Sequence, residues 1–325
     1  MYEVETLARG ILERKLRPLA KGITLIESKN PEHNQAANQL LEKILPHTGN
    51  SVRIGISGVP GVGKSTFIEA FGKHLTSQGH RVAVLAVDPT SQITGGSILG
   101  DKTRMEELAR DENAFIRPSP AGATLGGVAR KTRETMLLCE AAGYDVILIE
   151  TVGVGQSEIT VASMVDFFML LQLANAGDEL QGIKKGVMEI ADAIIINKAE
   201  GSNRMRAEVA AQQYVNALHI LRPKSQNWNV PVMLCSAMYK EGIAEIWDMV
   251  CDYYEKLTTS GEFQQKRRKQ AVDWFWALLM DDLKEMFVTD KNVEGMFASV
   301  RNAVEQGITT PSAASKRLLE LFKRH

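Results

Sequence analysis

The chain has 325 residues, of which 44% are apolar and 24% charged, so it can form one large globular domain with additions or two small domains. Its formal charge of −1 gives no general field for nucleic acid or an anionic membrane, and we expect neither as a partner. No stretch approaches the roughly 20 apolar residues of a membrane span, which predicts a cytoplasmic protein.

Residues 1–48 predict an N-terminal helical extension. Apolar residues recur at helical spacing in its first part, and a second segment opens at Asn30-Pro31 and closes at Pro46. No pattern in this extension indicates chemistry.

Residues 49–258 predict an α/β domain with a mostly parallel central sheet. Helix-length segments alternate with the near-continuous apolar runs of buried parallel strands: VRIGIS, RVAVLAVD, YDVILIE, DFFMLLQ, ADAIIIN and VPVMLCS. Ligands of such sheets bind outside the carboxyl ends of the strands. The residues that close the runs are therefore candidates for the site: Ser57, Asp88, Glu150, Asn197 and Ser236.

A phosphate-binding loop follows the first run. GVPGVGKS fits the pattern GxxxxGK[ST] and stands between a predicted strand and a predicted helix, the context of a P-loop NTPase. Its glycines let backbone N–H groups approach phosphate oxygens. Lys64 is expected to contact the β- and γ-phosphates, and Ser65 to bind Mg²⁺. The predicted nucleotide contacts here are Gly58, Pro60, Gly61, Val62, Gly63, Lys64, Ser65 and Thr66.

Three carboxylates are candidate Mg²⁺ ligands beside Ser65, because Mg²⁺ prefers hard oxygen donors. Asp88 and Glu150 close predicted strands, and Asp101 lies on the Gly- and Thr-rich segment 88–105. With Lys64, the strand-end acids Asp88 and Glu150 are predicted to stabilise charge during phosphoryl transfer. The alternative for each acid is a helix cap or a turn residue. The segment is expected to be a mobile loop that orders around the γ-phosphate, and the alternative is an ordinary surface loop.

Guanine recognition is predicted where the fifth and sixth runs end. Asn197-Lys198-Ala199-Glu200 matches the NKxD signature except at its last position, where a carboxylate accepts hydrogen bonds from guanine N1–H and the 2-amino group. Ser236-Ala237 matches the SA element, whose backbone contacts the guanine oxygen.

The segment after the third run resembles a nucleotide switch. Glu150-Thr-Val-Gly153 stands at the DxxG position, and Gly153 is a further predicted nucleotide contact. Many signalling GTPases carry a water-positioning Gln at the next residue, which is Val154 here. We therefore predict slow intrinsic hydrolysis that accelerates when a partner or a rearranged loop supplies the missing group.

Other segments predict surfaces and helices. Residues 177–186 combine glycines, acids and two lysines. This composition is typical of a loop that responds to a phosphate or a partner, or of a solvated loop that leads into a helix. Residues 265–270, QKRRKQ, are typical of a solvated helical face. Residues 259–325 predict a C-terminal helical arm, rich in Trp, Phe and Met, that packs on the sheet domain or on another subunit. The three cysteines form no CxxC pair and are expected to be buried: Cys139, Cys235 and Cys251.

In this order GVPGVGKS, VDPTS, TGGSILGDKTRM, ETVGVGQSE, GDELQGIKKG and NKAE resemble the G3E-type P-loop GTPases of the MeaB/ArgK family over nearly the whole chain. The resemblance implies GTP/GDP and Mg²⁺ as ligands and homodimerisation through the C-terminal arm. It implies a chaperone that gates adenosylcobalamin loading into methylmalonyl-CoA mutase and protects that enzyme. It also implies a third switch that contacts the mutase through Asp178, Gln181, Lys184 and Lys185. Glu200 departs from the family's usual Asp.

Two alternatives remain open. The family has also been labelled an arginine/ornithine transport-system kinase, and a P-loop alone permits transfer to any acceptor. Related G3E proteins are nickel or cobalt metallochaperones, although the six histidines and three cysteines here show no ligand spacing.

Overall fold

A computed structural model of the chain describes residues 3–28, 30–87, 105–118, 125–151, 157–174, 185–221 and 224–323, without the side chains of Pro31, Leu125 and Lys185.

Seven strands form the central sheet of the described chain. In sequence order they are β1 (Val52–Gly58), β2 (Val82–Val87), β3 (Ala114–Arg117), β4 (Val146–Thr151), β5 (Phe167–Leu173), β6 (Ala193–Asn197) and β7 (Val232–Leu234). Their spatial order is β3-β2-β4-β1-β5-β6-β7, and every neighbouring pair is parallel. The predicted α/β P-loop fold is confirmed, and the sheet is parallel throughout.

Thirteen helices are described around and beyond the sheet. They are α1 (Val4–Leu12), α2 (Leu16–Glu27), α3 (Pro31–Ile44), α4 (Lys64–Ser77), α5 (Glu106–Ala109), α6 (Leu125–Ala141), α7 (Ser157–Ala162), α8 (Lys185–Ile190), α9 (Arg204–Ile220), α10 (Ile243–Thr259), α11 (Glu262–Thr289), α12 (Lys291–Glu305) and α13 (Pro311–Phe322). Two short 3₁₀ segments cover Leu45–His47 and Gly201–Asn203. Within the described residues, no helix is both long and apolar enough to cross a bilayer.

The sheet is covered on both faces, which explains its near-continuous apolar strands. On one face, side chains of β1, β4 and β5 pack against α4 and α10 in one core. On the other face, β2 and β4 share a second core with α6, α7 and the N-terminal helices, and β6 packs with α9 in a third. Alternate residues of one strand therefore enter different cores.

The N-terminal helices belong to the second core. Asn30 opens α3 as predicted, since its side chain accepts a hydrogen bond from Glu32 N at 3.0 Å. Helix α2 approaches its neighbours closely at Gly22, where an added Cβ would lie 3.1 Å from Ile11 Cδ1 and 3.3 Å from Leu40 Cδ2. Burial of these apolar helices against α6 stabilises the extension.

The chain forms two compact units, Met1–Lys266 and Arg267–His325. The second unit has a small core of its own, made by Val293, Val300, Ala314 and Leu318. The unit border falls in the second turn of α11. The predicted domain boundaries after residues 48 and 258 stay predictions.

One local prediction was wrong, and a second holds for only part of its residues. Cys251 is exposed, because the buried face of α10 is made by residues spaced three and four apart that exclude it, whereas Cys139 and Cys235 are buried as predicted. Lys266, in the basic run predicted to be solvated, donates to Asp166 O at 2.5 Å and to Tyr253 Oη at 3.2 Å. A charge run does not reveal which of its members meets a buried acceptor.

Candidate functional site

The predicted phosphate-binding loop leaves the carboxyl end of β1 and enters α4 at Lys64. Three of its glycines have positive φ angles, namely Gly58 at 155°, Gly61 at 81° and Gly63 at 93°. A Cβ on Gly58 would lie 2.5 Å from Leu171 O, and one on Gly63 would lie 2.9 Å from the Asn197 side chain. Sterics and backbone conformation therefore both require glycine here.

The other predicted loop residues differ in exposure. Pro60 and Thr66 are exposed, while the Val62 side chain is fully buried in the core beside α4. The Val62 side chain therefore anchors the loop, and only its backbone is available to a ligand.

Two backbone carbonyls hold the Lys64 ammonium within the loop. Lys64 Nζ donates to Gly58 O at 2.9 Å and to Val59 O at 3.3 Å. Burial lowers the pKa of Lys64, and the negative charges of Glu150 and Glu158 oppose that shift. The side chain is thus positioned before any ligand arrives, which reduces the reorganisation that phosphate binding requires.

Ser65 and Glu150 come together as the predicted Mg²⁺ site requires. Parallel pairing sets Glu150 of β4 beside Ile56 of β1, and Ser65 Oγ donates to Glu150 Oε1 at 3.4 Å. Ser65 Oγ and the Glu150 carboxylate thus offer hard oxygen atoms side by side, which are the ligands that Mg²⁺ prefers. The other predicted ligands, Asp88 and Asp101, lie outside the described residues.

Asn197 joins the predicted base site to the phosphate loop. Its Nδ2 donates to Val62 O at 2.8 Å, and its Oδ1 accepts from Ala237 N at 3.1 Å. The residue is 1% exposed at the end of β6. The buried amide of Asn197 therefore links the end of β6 to the phosphate loop and to the turn after β7, because both its donor and its acceptor are used.

Lys198 and Glu200 follow on the same loop. Lys198 has a φ of 60°, and its Nζ donates to Gly61 O at 2.8 Å. Glu200 Oε2 is buried and has no hydrogen-bond partner among the described residues. An unpaired buried acceptor at this position is available for the N–H donors of a base.

Ser236 and Ala237 lie in a tight turn after β7. Ser236 and Glu241 exchange two backbone hydrogen bonds of 3.0 Å. The turn closes at Gly242, whose φ is 77° and whose added Cβ would lie 2.6 Å from Leu234 O. This geometry presents Ala237 N towards Asn197.

The predicted switch contacts lie largely outside the described residues, which is the case for Gly153, Val154, Asp178, Gln181 and Lys184. Lys185 opens α8, and its side chain is not described. Glu158 on α7 was not predicted as a site residue, although it lies within ETVGVGQSE, because no spacing rule assigns it a role. In the described ranges, no three His, Cys, Asp or Glu side chains form a metal-binding group.

Comparison with known proteins gives consistent matches along the chain. The model of the family described as "Methylmalonyl Co-A mutase-associated GTPase MeaB" matches residues 19–292. A probable GTPase of Mycobacterium tuberculosis is 52% identical over 318 residues, which cover 98% of this chain and 95% of that protein. The mouse protein "Methylmalonic aciduria type A homolog, mitochondrial" is 46% identical over 333 residues, with 99% and 80% covered.

A solved structure of a protein named "LAO/AO transport system kinase" has the same fold along its whole length. It is 41% identical in sequence and superposes with a TM-score of 0.80, with 99% of each chain covered.

Proposed function

Since the chain belongs to the MeaB family of methylmalonyl-CoA mutase-associated GTPases, we propose that it is the GTPase chaperone of an adenosylcobalamin-dependent methylmalonyl-CoA mutase. The chain is a GTP hydrolase, like its relatives. The family match over residues 19–292 carries the proposed partnership. The name of the mouse relative, which refers to methylmalonic aciduria, supports a partner that acts on a methylmalonyl substrate.

In the proposed role, nucleotide state controls loading of intact adenosylcobalamin into the mutase and protects the loaded enzyme. Contacts with the mutase are assigned to Asp178, Gln181, Lys184 and Lys185. Because Val154 has no polar atom with which to orient water, another group must take that role, and hydrolysis is slow until the mutase or a rearranged loop positions that group.

The proposed phosphate chemistry uses the Lys64 ammonium and the loop amides. Lys64 is held 2.9 Å from Gly58 O, a position from which it stabilises charge on the β- and γ-phosphates. Ser65 and Glu150, with Asp88 and Asp101, hold Mg²⁺, which when bound neutralises phosphate charge. Gly153 supplies a further backbone contact to the nucleotide.

The proposed guanine selectivity depends on Glu200. Its buried Oε2 has no partner among the described residues, and guanine N1–H and the 2-amino group supply donors that adenine lacks. The carboxylate therefore gains hydrogen bonds with guanine and stays unpaired with adenine. Ala237 N, held by Asn197, lies on the loop assigned to the guanine oxygen.

The proposed homodimer uses the C-terminal arm. Helix α11 exposes large apolar side chains at intervals of one to four residues: Val272, Phe275, Trp276, Met280, Leu283 and Met286. An exposed apolar stripe of this size is typical of a protein interface.

The test uses purified chain and purified methylmalonyl-CoA mutase. Single-turnover GTP hydrolysis is measured with and without the mutase, and mutase capture is compared in a GTP analogue and in GDP. We expect nucleotide-dependent capture and a rate increase of at least about tenfold. Lys64→Ala should abolish both effects, whereas Lys73→Ala, a lysine of the same helix that pairs with Asp111 at 2.5 Å, should retain them.

No capture in either nucleotide, together with an unchanged rate, would refute the partnership. Transfer of the γ-phosphate to a protein acceptor instead of water would favour the alternative kinase function, which is the function in the name of the solved relative.

A further inference from the structure

Glu158 is a buried carboxylate that no role assigned so far uses. The residue is 7% exposed, and its Oε2 is buried with no hydrogen-bond partner in the part of the chain that the structure describes. Leaving a buried acceptor unpaired is unfavourable, and more so when the group is charged. Native proteins keep few such atoms, and those that remain are often functional.

Helix α7 holds Glu158 close to the phosphate loop. An added Cβ on Gly55 of β1 would lie 2.9 Å from Val161 Cγ1 and 3.1 Å from Val165 Cγ2, so α7 and the residues after it lie directly on β1. Glu158 precedes Val161 by three residues, which places it on the same helix face one turn earlier. Because α7 begins at the carboxyl edge of the sheet, that turn lies over the end of β1.

Strand alternation places Glu158 on the side opposite the predicted Mg²⁺ ligands. Thr151 faces the α7 side and donates to Ser57 Oγ at 2.8 Å. Its neighbour Glu150 projects to the other face, where it meets Ser65 of α4. Glu150 and Glu158 therefore approach the phosphate loop from opposite faces of the sheet.

The charge of Glu158 acts on the loop lysine. Burial is the larger influence and lowers the pKa of Lys64, while the charges of Glu150 and then Glu158 raise it. The charges of both carboxylates therefore favour the charged form of the ammonium that is assigned to the β- and γ-phosphates.

We propose that Glu158 is a catalytic residue of GTP hydrolysis, which accepts a hydrogen bond and then a proton from the attacking water. The water oxygen bonds to the γ-phosphorus while the bond from that phosphorus to the β–γ bridging oxygen breaks. The electron pair of the broken bond leaves with GDP, and the proton of the water moves to Glu158 Oε2. Glu158 thereby fills the role that Val154 lacks the polar atoms to perform. The proposal rests on the GTPase activity and is independent of the mutase partnership.

Glu158→Gln tests this role because it keeps the size of the side chain and removes its basicity. Single-turnover hydrolysis at saturating GTP and Mg²⁺ should slow by about 100-fold or more. Affinity for GDP with Mg²⁺ should stay within about threefold, since the lost interaction belongs to the transition state. The melting temperature of the nucleotide-free protein should change little, because the cost of the buried charge and its attraction to Lys64 are removed together.

Glu134→Gln is the matched control. Glu134 is a buried glutamate on the same side of the sheet, on α6, and it pairs with Arg130 at 3.1 Å. This variant should hydrolyse GTP at the rate of the unmodified protein.

Three results would overturn the assignment. The first is hydrolysis by Glu158→Gln at the unmodified rate. The second is weaker GDP and Mg²⁺ binding in proportion to the lost rate, which would place Glu158 in the metal shell. The third is a lower melting temperature or failure to fold, which would mean that the carboxylate has a structural partner. Absence of hydrolysis in the unmodified protein would instead contradict the GTPase activity itself.

Discussion

Replacing Asn197 by alanine should destabilise the protein even when no nucleotide is present. The side chain is 1% exposed, and it pairs with Val62 O at 2.8 Å and with Ala237 N at 3.1 Å. Alanine cannot reach either partner, and both partners lie in buried backbone. The residue therefore stabilises the free fold as well as the predicted base site.

The magnitude follows from the two groups left unpaired. Each buried donor or acceptor without a partner costs about 1–3 kcal/mol, so the free energy of unfolding should fall by about 2–6 kcal/mol. The change should also weaken GDP binding, because the phosphate loop at Val62 and the turn at Ala237 lose their common support.

Urea unfolding of the nucleotide-free protein, followed by tryptophan fluorescence, measures the effect. Asn203→Ala is the control: Asn203 makes no side-chain capping bond at the start of α9, and its loss should change stability by no more than about 0.5 kcal/mol. A loss below about 1 kcal/mol for Asn197→Ala would refute the reasoning, since neither hydrogen bond would then contribute its expected share.

Three further changes have defined outcomes. Glu200→Ala should weaken GDP binding by about 100-fold or more and leave ADP binding unchanged in calorimetry, because two charge-assisted hydrogen bonds are lost. Burial raises the pKa of Glu140, but Arg53 and other donors lower it more, so the net pKa lies below 4.5. The ionised Glu140 therefore contributes its full stabilisation above pH 4.5, and this contribution is lost as the pH falls through the lowered pKa. In Glu140→Gln the free energy of unfolding in urea should consequently fall less steeply at acid pH. In Gly55→Ala the new Cβ would lie 2.8 Å from Phe168 Cδ2, and this overpacking should lower the free energy of thermal unfolding by about 1–3 kcal/mol. Gly295→Ala is the control: the space beside this residue of α12 is open, so the change should stabilise the protein.

Each of these has an outcome that would contradict it. Equal losses of GDP and ADP affinity in Glu200→Ala would mean that the carboxylate does not recognise the base. An unchanged acid limb in Glu140→Gln would mean that other carboxylates dominate acid unfolding. Tolerance of Gly55→Ala would mean that α7 shifts freely on β1.

Much of the fold could be predicted from local patterns. Six strands coincide with apolar runs, because strands buried on both faces need apolar side chains at nearly every position. Strand β3 was missed, since a run of four residues, Ala114–Arg117, is too short for periodicity to distinguish it. The phosphate loop could be predicted because its function demands glycine at fixed positions next to a helix start.

What the amino-acid sequence determined by itself was the set of chemical groups available: the loop glycines, Lys64, Ser65 and the NKAE run. Tertiary structure alone decided which groups meet. Asn197 bonds to Val62, 135 residues earlier, and Lys266 reaches Asp166 across 100 residues. It also left Glu158 buried, with one oxygen that has no hydrogen-bond partner among the described residues. Such contacts are set by the packing of whole strands and helices, so no pattern within a local window of residues contains them.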